Sequence, residues 1–231
     1  MMKHMRYTLI ACCALVALGL SAQGRISTPL KIGTKIDGTV TYGIKADLSL
    51  SNFWGGKLPH GMRNGGRIGI FAEFQPSDER LVKWSLQPEL YFSSEGGKFT
   101  VNQALAKNMG ENVQLQGFAA QALNNKLIFT TNYITLPIMV RYRILPCLAL
   151  EAGPQVSFNV YSKAHPDQVK DADVDLDDFT HTVTFGMGVG CTYYVTNYIM
   201  VNARYNMDFT NTFNVWNDKN SNLEFGIAYR L

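Results

Sequence analysis

The chain has 231 residues, of which 46% are apolar, 12% aromatic and only 17% charged, with 20 glycines. That composition fits one β-rich domain of ordinary size. A formal net charge of +3 offers no bulk-charge argument for nucleic-acid binding, and beyond the N-terminus no apolar run approaches the ~18–20 residues of a transmembrane helix.

Residues 1–22 read as a secretory signal peptide. Lys3 and Arg6 make a basic start, and Leu9 to Leu20 is an apolar run too short to span as a helix. Leu20-Ser21-Ala22 before Gln23 then supplies small residues for cleavage. A lipoprotein signal ending at Cys12 has the right residue types in Leu9-Ile10-Ala11-Cys12, but only five residues separate Arg6 from Cys12, too short an apolar run. Losing Lys3 and Arg6 leaves 19 of the 21 basic residues against 18 acidic ones. Residues 23–38 are expected to be a short tail, and residues 39–231 one domain.

The first candidate strand, 39–53, alternates Val40, Tyr42, Ile44, Ala46, Leu48 and Leu50 with Thr39, Thr41, Gly43, Lys45, Asp47 and Ser49. Side chains alternate faces along a strand, so one face is apolar and the other polar. The second, 67–75, sets Ile68, Ile70, Ala72 and Phe74 against Arg67, Gly69 and Glu73, with Phe71 an apolar exception. After a turn at 76–80 the third, 81–92, sets Val82, Trp84, Leu86, Leu90 and Phe92 against Lys83, Ser85, Gln87, Glu89 and Tyr91. Region 93–126 is open between a short helix at 101–109 and two strand extensions. The fourth strand, 127–144, and the fifth, 148–161, flank a tight turn at Leu145-Pro146-Cys147. Residues 182–209 form a hairpin of two amphipathic arms around Thr196-Asn197, and 222–231 is the eighth strand.

Short connections (76–80, 145–147, 196–197) alternate strictly with long ones (54–66, 93–126, 162–181, 211–221). Outer-membrane barrels sort their loops in this way, with short periplasmic turns and both termini on that side. The expected fold is therefore all-β, an eight-stranded antiparallel transmembrane β-barrel of the outer-membrane type. Aromatics near the turn ends (Phe74, Trp84, Tyr142, Tyr193, Tyr229) and near the long-loop ends (Phe53, Trp54, Phe92, Phe129, Phe158, Phe209, Phe213) would form two girdles. Pro88, Pro137 and Pro154 lie inside strands of a barrel that has no edge, so bulges or loosened ladders are expected there.

The segments NYITLPIMVRYRI (132–144), LEAGPQVSF (150–158), FGMGVGCTYYVTN (185–197), ARYNMDFTN (203–211) and LEFGIAYRL (223–231) resemble the PorT-like outer-membrane β-barrel family of Bacteroidetes. The resemblance covers the fourth to eighth strands by motif and the first three by pattern. It implies an outer-membrane location. The family's namesake is implicated in secretion of exported proteases, whereas these motifs identify the barrel more than any activity.

The polar face collects Lys45, Arg67, Lys83, Arg141, Arg143, Arg204 and Arg230 with Asp47, Glu73, Glu89, Glu151, Asp208 and Glu224. Inside an eight-stranded barrel, whose bore its own side chains fill, these charges are expected to pair as a plug. Gly186, Gly188 and Gly190 share this face and leave room for long neighbours such as Arg204. No helix signal follows them, so a dinucleotide fingerprint is not supported.

The acidic stretch 167–178 resembles a calcium loop, but Leu176 and Thr182 stand where its Gly and Glu belong. His60, His165 and His181 lie in or beside long loops without a motif that fixes a triad. Cys147 and Cys191 read as separate thiols, with a cross-strand disulfide as the alternative. A non-enzymatic envelope, interaction or secretion-associated role is therefore expected, with a small pore or a lipid-modifying hydrolase as alternatives. No catalytic residue, cofactor or metal site is assigned. The expected partners are outer-membrane lipid, the barrel-assembly machinery during insertion, and envelope or secretion-system proteins, with the barrel itself a monomer.

Overall fold

The period-two pattern is realised as strand throughout a computed structural model that describes residues 27–32, 36–54, 61–100, 126–166, 174–175, 180–212 and 219–231. The strands are β1 (Ser27–Ile32), β2 (Ile36–Trp54), β3 (Arg63–Pro76), β4 (Trp84–Thr100), β5 (Lys126–Leu145), β6 (Leu148–Pro166), β7 (Val174–Asp175), β8 (Val183–Tyr194), β9 (Ile199–Asn211) and β10 (Lys219–Arg230). Eight of them form a closed antiparallel ring in the order β2, β3, β4, β5, β6, β8, β9, β10, with β10 returning to β2. Closure gives every ring strand a partner on both sides and removes the exposed edges.

Burial is inverted relative to a water-soluble barrel. Leu48 is 76% exposed, and Ile68, Val189, Phe185 and Ile227 face outward with it, while Arg204 and Arg141 are each 1% exposed. Lipid satisfies an apolar wall, so the polar half of each strand turns inward, where it must find its own partners. Trp84 and Tyr142 pack with ring centroids 4.7 Å apart at the turn end, and Tyr193 and Tyr229 are exposed there. Phe53 and Phe129 are buried inside the bore rather than in the outer girdle, because they occupy inward positions of β2 and β5. Phe71 also turns inward and packs with Met200 and Ala228. Gly43 admits it, because a Cβ there would lie 2.2 Å from the Phe71 ring.

Several boundaries differ from the expected ones. The segment expected as a tail contains β1, and β2 begins at Ile36. β1 takes the edge of β2 from Ile36 to Thr41, and β10 takes that edge from Gly43 to Trp54. On the long-loop side, β4 and β5 continue paired to Thr100 and Lys126, which are the strand extensions. The possible helix at 101–109 lies outside the described residues, as does nearly all of the acidic stretch 167–178. Its Val174–Asp175 form β7 on β6.

At the other end, residues 78–83 coil into a turn before β4. Arg80 N–H donates to Asp78 Oδ1 at 2.8 Å, Leu81 N–H to Asp78 O at 2.9 Å, and Trp84 N–H to Leu81 O at 2.8 Å. These local bonds delay the start of the strand to Trp84, three residues later than expected, and leave Lys83 exposed in the turn rather than inside the barrel.

The prolines loosen the ladder without bulging it. Pairing between β3 and β4 passes from Phe71↔Glu89 to Phe74↔Leu86, and between β4 and β5 from Pro88↔Ile138 to Tyr91↔Thr135. Between β5 and β6 it passes from Pro137↔Gln155 to Val140↔Ala152. The register is the same on both sides of each gap. A missing N–H removes a rung, while the neighbouring strands hold the chain in step.

Candidate functional site in the barrel interior

Each ring strand brings polar side chains to the bore at alternate positions, and the tilt of a barrel's strands sets which of them meet across it. Arg204 of β9 is the centre. Its Nη1 and Nη2 donate to Glu89 Oε2 and Oε1 of β4 at 2.7 and 2.8 Å, and its Nε donates to Glu151 Oε1 of β6 at 2.8 Å. The planar fork of arginine suits this double, bidentate recognition, which a lysine could not reproduce. The hairpin makes room for it. A Cβ on Gly188 would lie 2.4 Å from Asn206 Oδ1 and 3.2 Å from Arg204 Cδ, and one on Gly190 would lie 3.1 Å from Arg204 Cβ.

From Arg204 the pairing runs toward the short turns. Glu151 accepts from Arg141 Nε of β5 at 2.9 Å and from the Thr192 hydroxyl of β8 at 2.9 Å. Arg141 Nη1 lies 3.8 Å from Glu73 Oε2 of β3, which also pairs with Arg230 Nη2 of β10 at 2.5 Å. Lys45 Nζ of β2 is 3.7 Å from Glu89, an ion pair beyond hydrogen-bond length, and lies 5.6 Å from the centre of the Tyr91 ring.

A second group lies toward the long loops. Arg67 Nη1 is 2.6 Å from Glu224 Oε1, a close ion pair off the line of a hydrogen bond. Arg67 Nε and Nη2 donate to Glu95 Oε1 at 3.2 and 2.9 Å, and Asn220 Nδ2 donates to the other oxygen of Glu95. Asp47 accepts from Asn202 Nδ2 at 2.7 Å and Asp208 from Gln155 Nε2 at 3.1 Å, so these two acids are met by amides rather than cations.

All eight ring strands therefore contribute to one interior. Of the sequence-derived set, Lys45, Arg67, Glu73, Glu89, Arg141, Glu151, Arg204, Glu224 and Arg230 are brought into ion pairs. Arg143 turns inward but lies over the Tyr194 ring as a cation–π contact, its guanidinium carbon 5.0 Å from the ring centre. Glu95 joins this set from outside the sequence-derived residues, in a stretch whose pattern is open between helix and strand. The signal was present: Ser85, Gln87, Glu89, Tyr91, Ser93 and Glu95 keep a single parity past the apparent strand end.

The chemistry available here is structural. Buried charges are costly to desolvate, and only dense pairing makes them tolerable. Among the described residues no group of three His, Cys, Asp or Glu is placed to hold a metal ion. His181 is exposed, His60 lies outside the described residues, and His165 stands in β6. Cys147 and Cys191 are free thiols.

A family model described as outer membrane protein beta-barrel domain matches residues 19–214. Among solved structures, Neisserial surface protein A is similar at a TM-score of 0.51 and 15% identity, over 82% of this chain and 97% of that one. Ail, the attachment invasion locus protein of Yersinia pestis, solved with the heparin analogue sucrose octasulfate, gives 0.45 at 11% identity over 83% and 99%. The N-terminal β-barrel domain of Pseudomonas aeruginosa OprF gives 0.36 at 10% identity over 82% and 97%. At such identities the likeness is one of fold, and it rests on the first of the three. No curated protein sequence matches the chain.

Proposed function

The chain belongs to the outer membrane protein beta-barrel domain family, and from that premise we propose that it is a non-enzymatic envelope protein working at its two mouths. One observation carries the reading: the bore is crossed by the Arg204, Glu89, Glu151 and Arg141 network, with all four side chains buried. An eight-stranded barrel has little interior to spare once its own side chains occupy it. A solute would have to break charge pairs that are costly to separate. Work at the mouths is then the economical use of the scaffold, because loops on a rigid frame are where recognition usually sits.

The finer assignment is to the PorT-like branch, supported by the segments 132–144, 185–197 and 223–231. On that reading the protein acts beside secretion machinery, and its partners are outer-membrane lipid, the assembly machinery during insertion, and envelope or secretion-system proteins. Crosslinking in intact cells followed by affinity purification of the full chain tests it. Enrichment of secretion-machinery or envelope proteins is expected. Absence of any enriched partner, together with unitary current steps in planar bilayers, would replace the reading with a small pore. A changed lipid A mass on expression would replace it with a hydrolase.

A further inference from the structure

The interior network ends unevenly at the mouth framed by the short turns. Arg230 is anchored there by Glu73, whose oxygens also receive the Ser85 hydroxyl at 2.9 Å and the Tyr194 hydroxyl at 3.4 Å. Tyr194 carries two guanidinium groups, with the carbons of Arg143 and Arg230 each 5.0 Å from its ring centre. Arg230 has a carboxylate. Arg143 has none within ion-pair distance among the described residues, and its Nε, like that of Arg230, is buried without a hydrogen-bond partner.

The surroundings deepen the imbalance. Glu73 is already engaged by Arg230, Arg141, Ser85 and Tyr194, so it has little acceptor capacity left for Arg143. Arg143 N–H donates to Lys83 O at 2.8 Å, which sets the exposed Lys83 on the strand edge beside it. In the adjoining turn, Asp78 bends back onto the Arg80 backbone N–H. Asp78, Glu79 and Arg80 are exposed to solvent and bring charges of both signs.

A half-buried cation without a counter-charge is costly unless something supplies one. A cation–π contact holds a guanidinium against an aromatic ring, and its N–H fork is the group that recognises phosphate and carboxylate. We propose that the turn-side mouth is a binding site for a single oxyanion, a phosphate or carboxylate group. Arg143 supplies the fork, the Tyr194–Arg230–Glu73 assembly holds it in place, and Lys83 adds a second positive charge at the rim. Short turns of outer-membrane barrels face the periplasm, so the oxyanion arrives on a soluble periplasmic molecule or on an inner-leaflet headgroup.

The test uses the full mature chain with ¹⁵N-labelled arginine in uncharged micelles, following the side-chain Nε–H signals. The Arg143 signal is assigned by its loss in Arg143→Lys. Should that variant not fold, a nitroxide on Cys147 in a Cys191→Ser background assigns it, since the Cys147 carbonyl accepts from Tyr194 N–H at 2.8 Å. One arm adds inorganic phosphate, with sodium chloride at matched ionic strength as control. The other transfers the protein to bicelles with or without phosphatidylglycerol. A saturable shift of Arg143 with phosphate supports a soluble source, and a shift only with phosphatidylglycerol supports the leaflet. In either arm Lys83→Gln is expected to weaken half-saturation by about threefold, the size of one exposed charge contact. An Arg143 signal that moves in neither arm, or no more than that of the exposed Arg80, overturns the proposal.

Discussion

Replacing Arg204 with methionine removes three charge-assisted hydrogen bonds at 2.7 to 2.8 Å and leaves two buried carboxylates behind. Breaking a buried pair from one side costs about 3–5 kcal/mol, chiefly because the abandoned charge stays desolvated. The structure places the expected value near the lower end. Glu89 keeps Lys45 at 3.7 Å, and Glu151 keeps Arg141 at 2.9 Å. A loss of ~3 kcal/mol follows, and a urea slope of roughly 2 kcal/mol/M turns it into a midpoint lowered by about 1.5 M. Tryptophan fluorescence during reversible unfolding in lipid vesicles reads this, with heat-modifiable gel mobility confirming that the variant inserts. Adding Glu89→Gln to Arg204→Met removes one of the stranded charges and is expected to return at least ~1 kcal/mol as a coupling energy. A single variant that loses less than ~0.5 kcal/mol behaves like a solvated surface pair, and that outcome would refute a dry, paired plug.

Gly188→Val pushes a side chain into Asn206 and the Arg204 stem, and overpacking of this kind is expected to cost about 1–3 kcal/mol in the same unfolding assay. Glu95→Gln deprives Arg67 of one of its two carboxylates while Glu224 remains at 2.6 Å, and a loss of about 2 kcal/mol is expected from the weakened charged hydrogen bonds. Val189→Arg, at a position 47% exposed in the middle of β8, is expected to cost ~2–4 kcal/mol in bilayers. A near-neutral effect of Val189→Arg would argue that this wall faces water. The wild-type barrel is expected to show no unitary conductance in planar bilayers, and regular open steps would contradict the closed bore.

Alternation alone carried most of the architecture. A strand crossing lipid must show an apolar face outward at every second residue, so β2, β8, β9 and β10 are legible from their side chains. The pattern fades where that requirement ends. On the long-loop side of β4 and β5 the alternation weakens, and Lys98, Thr100, Lys126 and Thr130 in the sequence no longer distinguish strand from coil. Glu95 and the inward-turned Phe129 lie in that stretch, and Phe53 turns inward at the matching long-loop end of β2. Lys83 fails for the opposite reason: it keeps the inward parity of Ser85 and Gln87, but hydrogen bonds around Asp78 hold it in a turn. Pair identities were not legible at all. Arg204 meets Glu89 from 115 residues away, and only the shear of the closed ring decides which charges face each other.

The division of one edge of β2 between β1 and β10 has a consequence for assembly. Closing a barrel from its last strand onto its first requires one register among several spaced two residues apart, since each such slip preserves the inside and outside faces. Here Leu231 N–H reaches Tyr42 O, and Ser27 already pairs with Thr41. A β10 that advanced two residues too far along β2 would have to evict β1. In the closed ring the N-terminal segment thus occupies the place that such a slipped β10 would need.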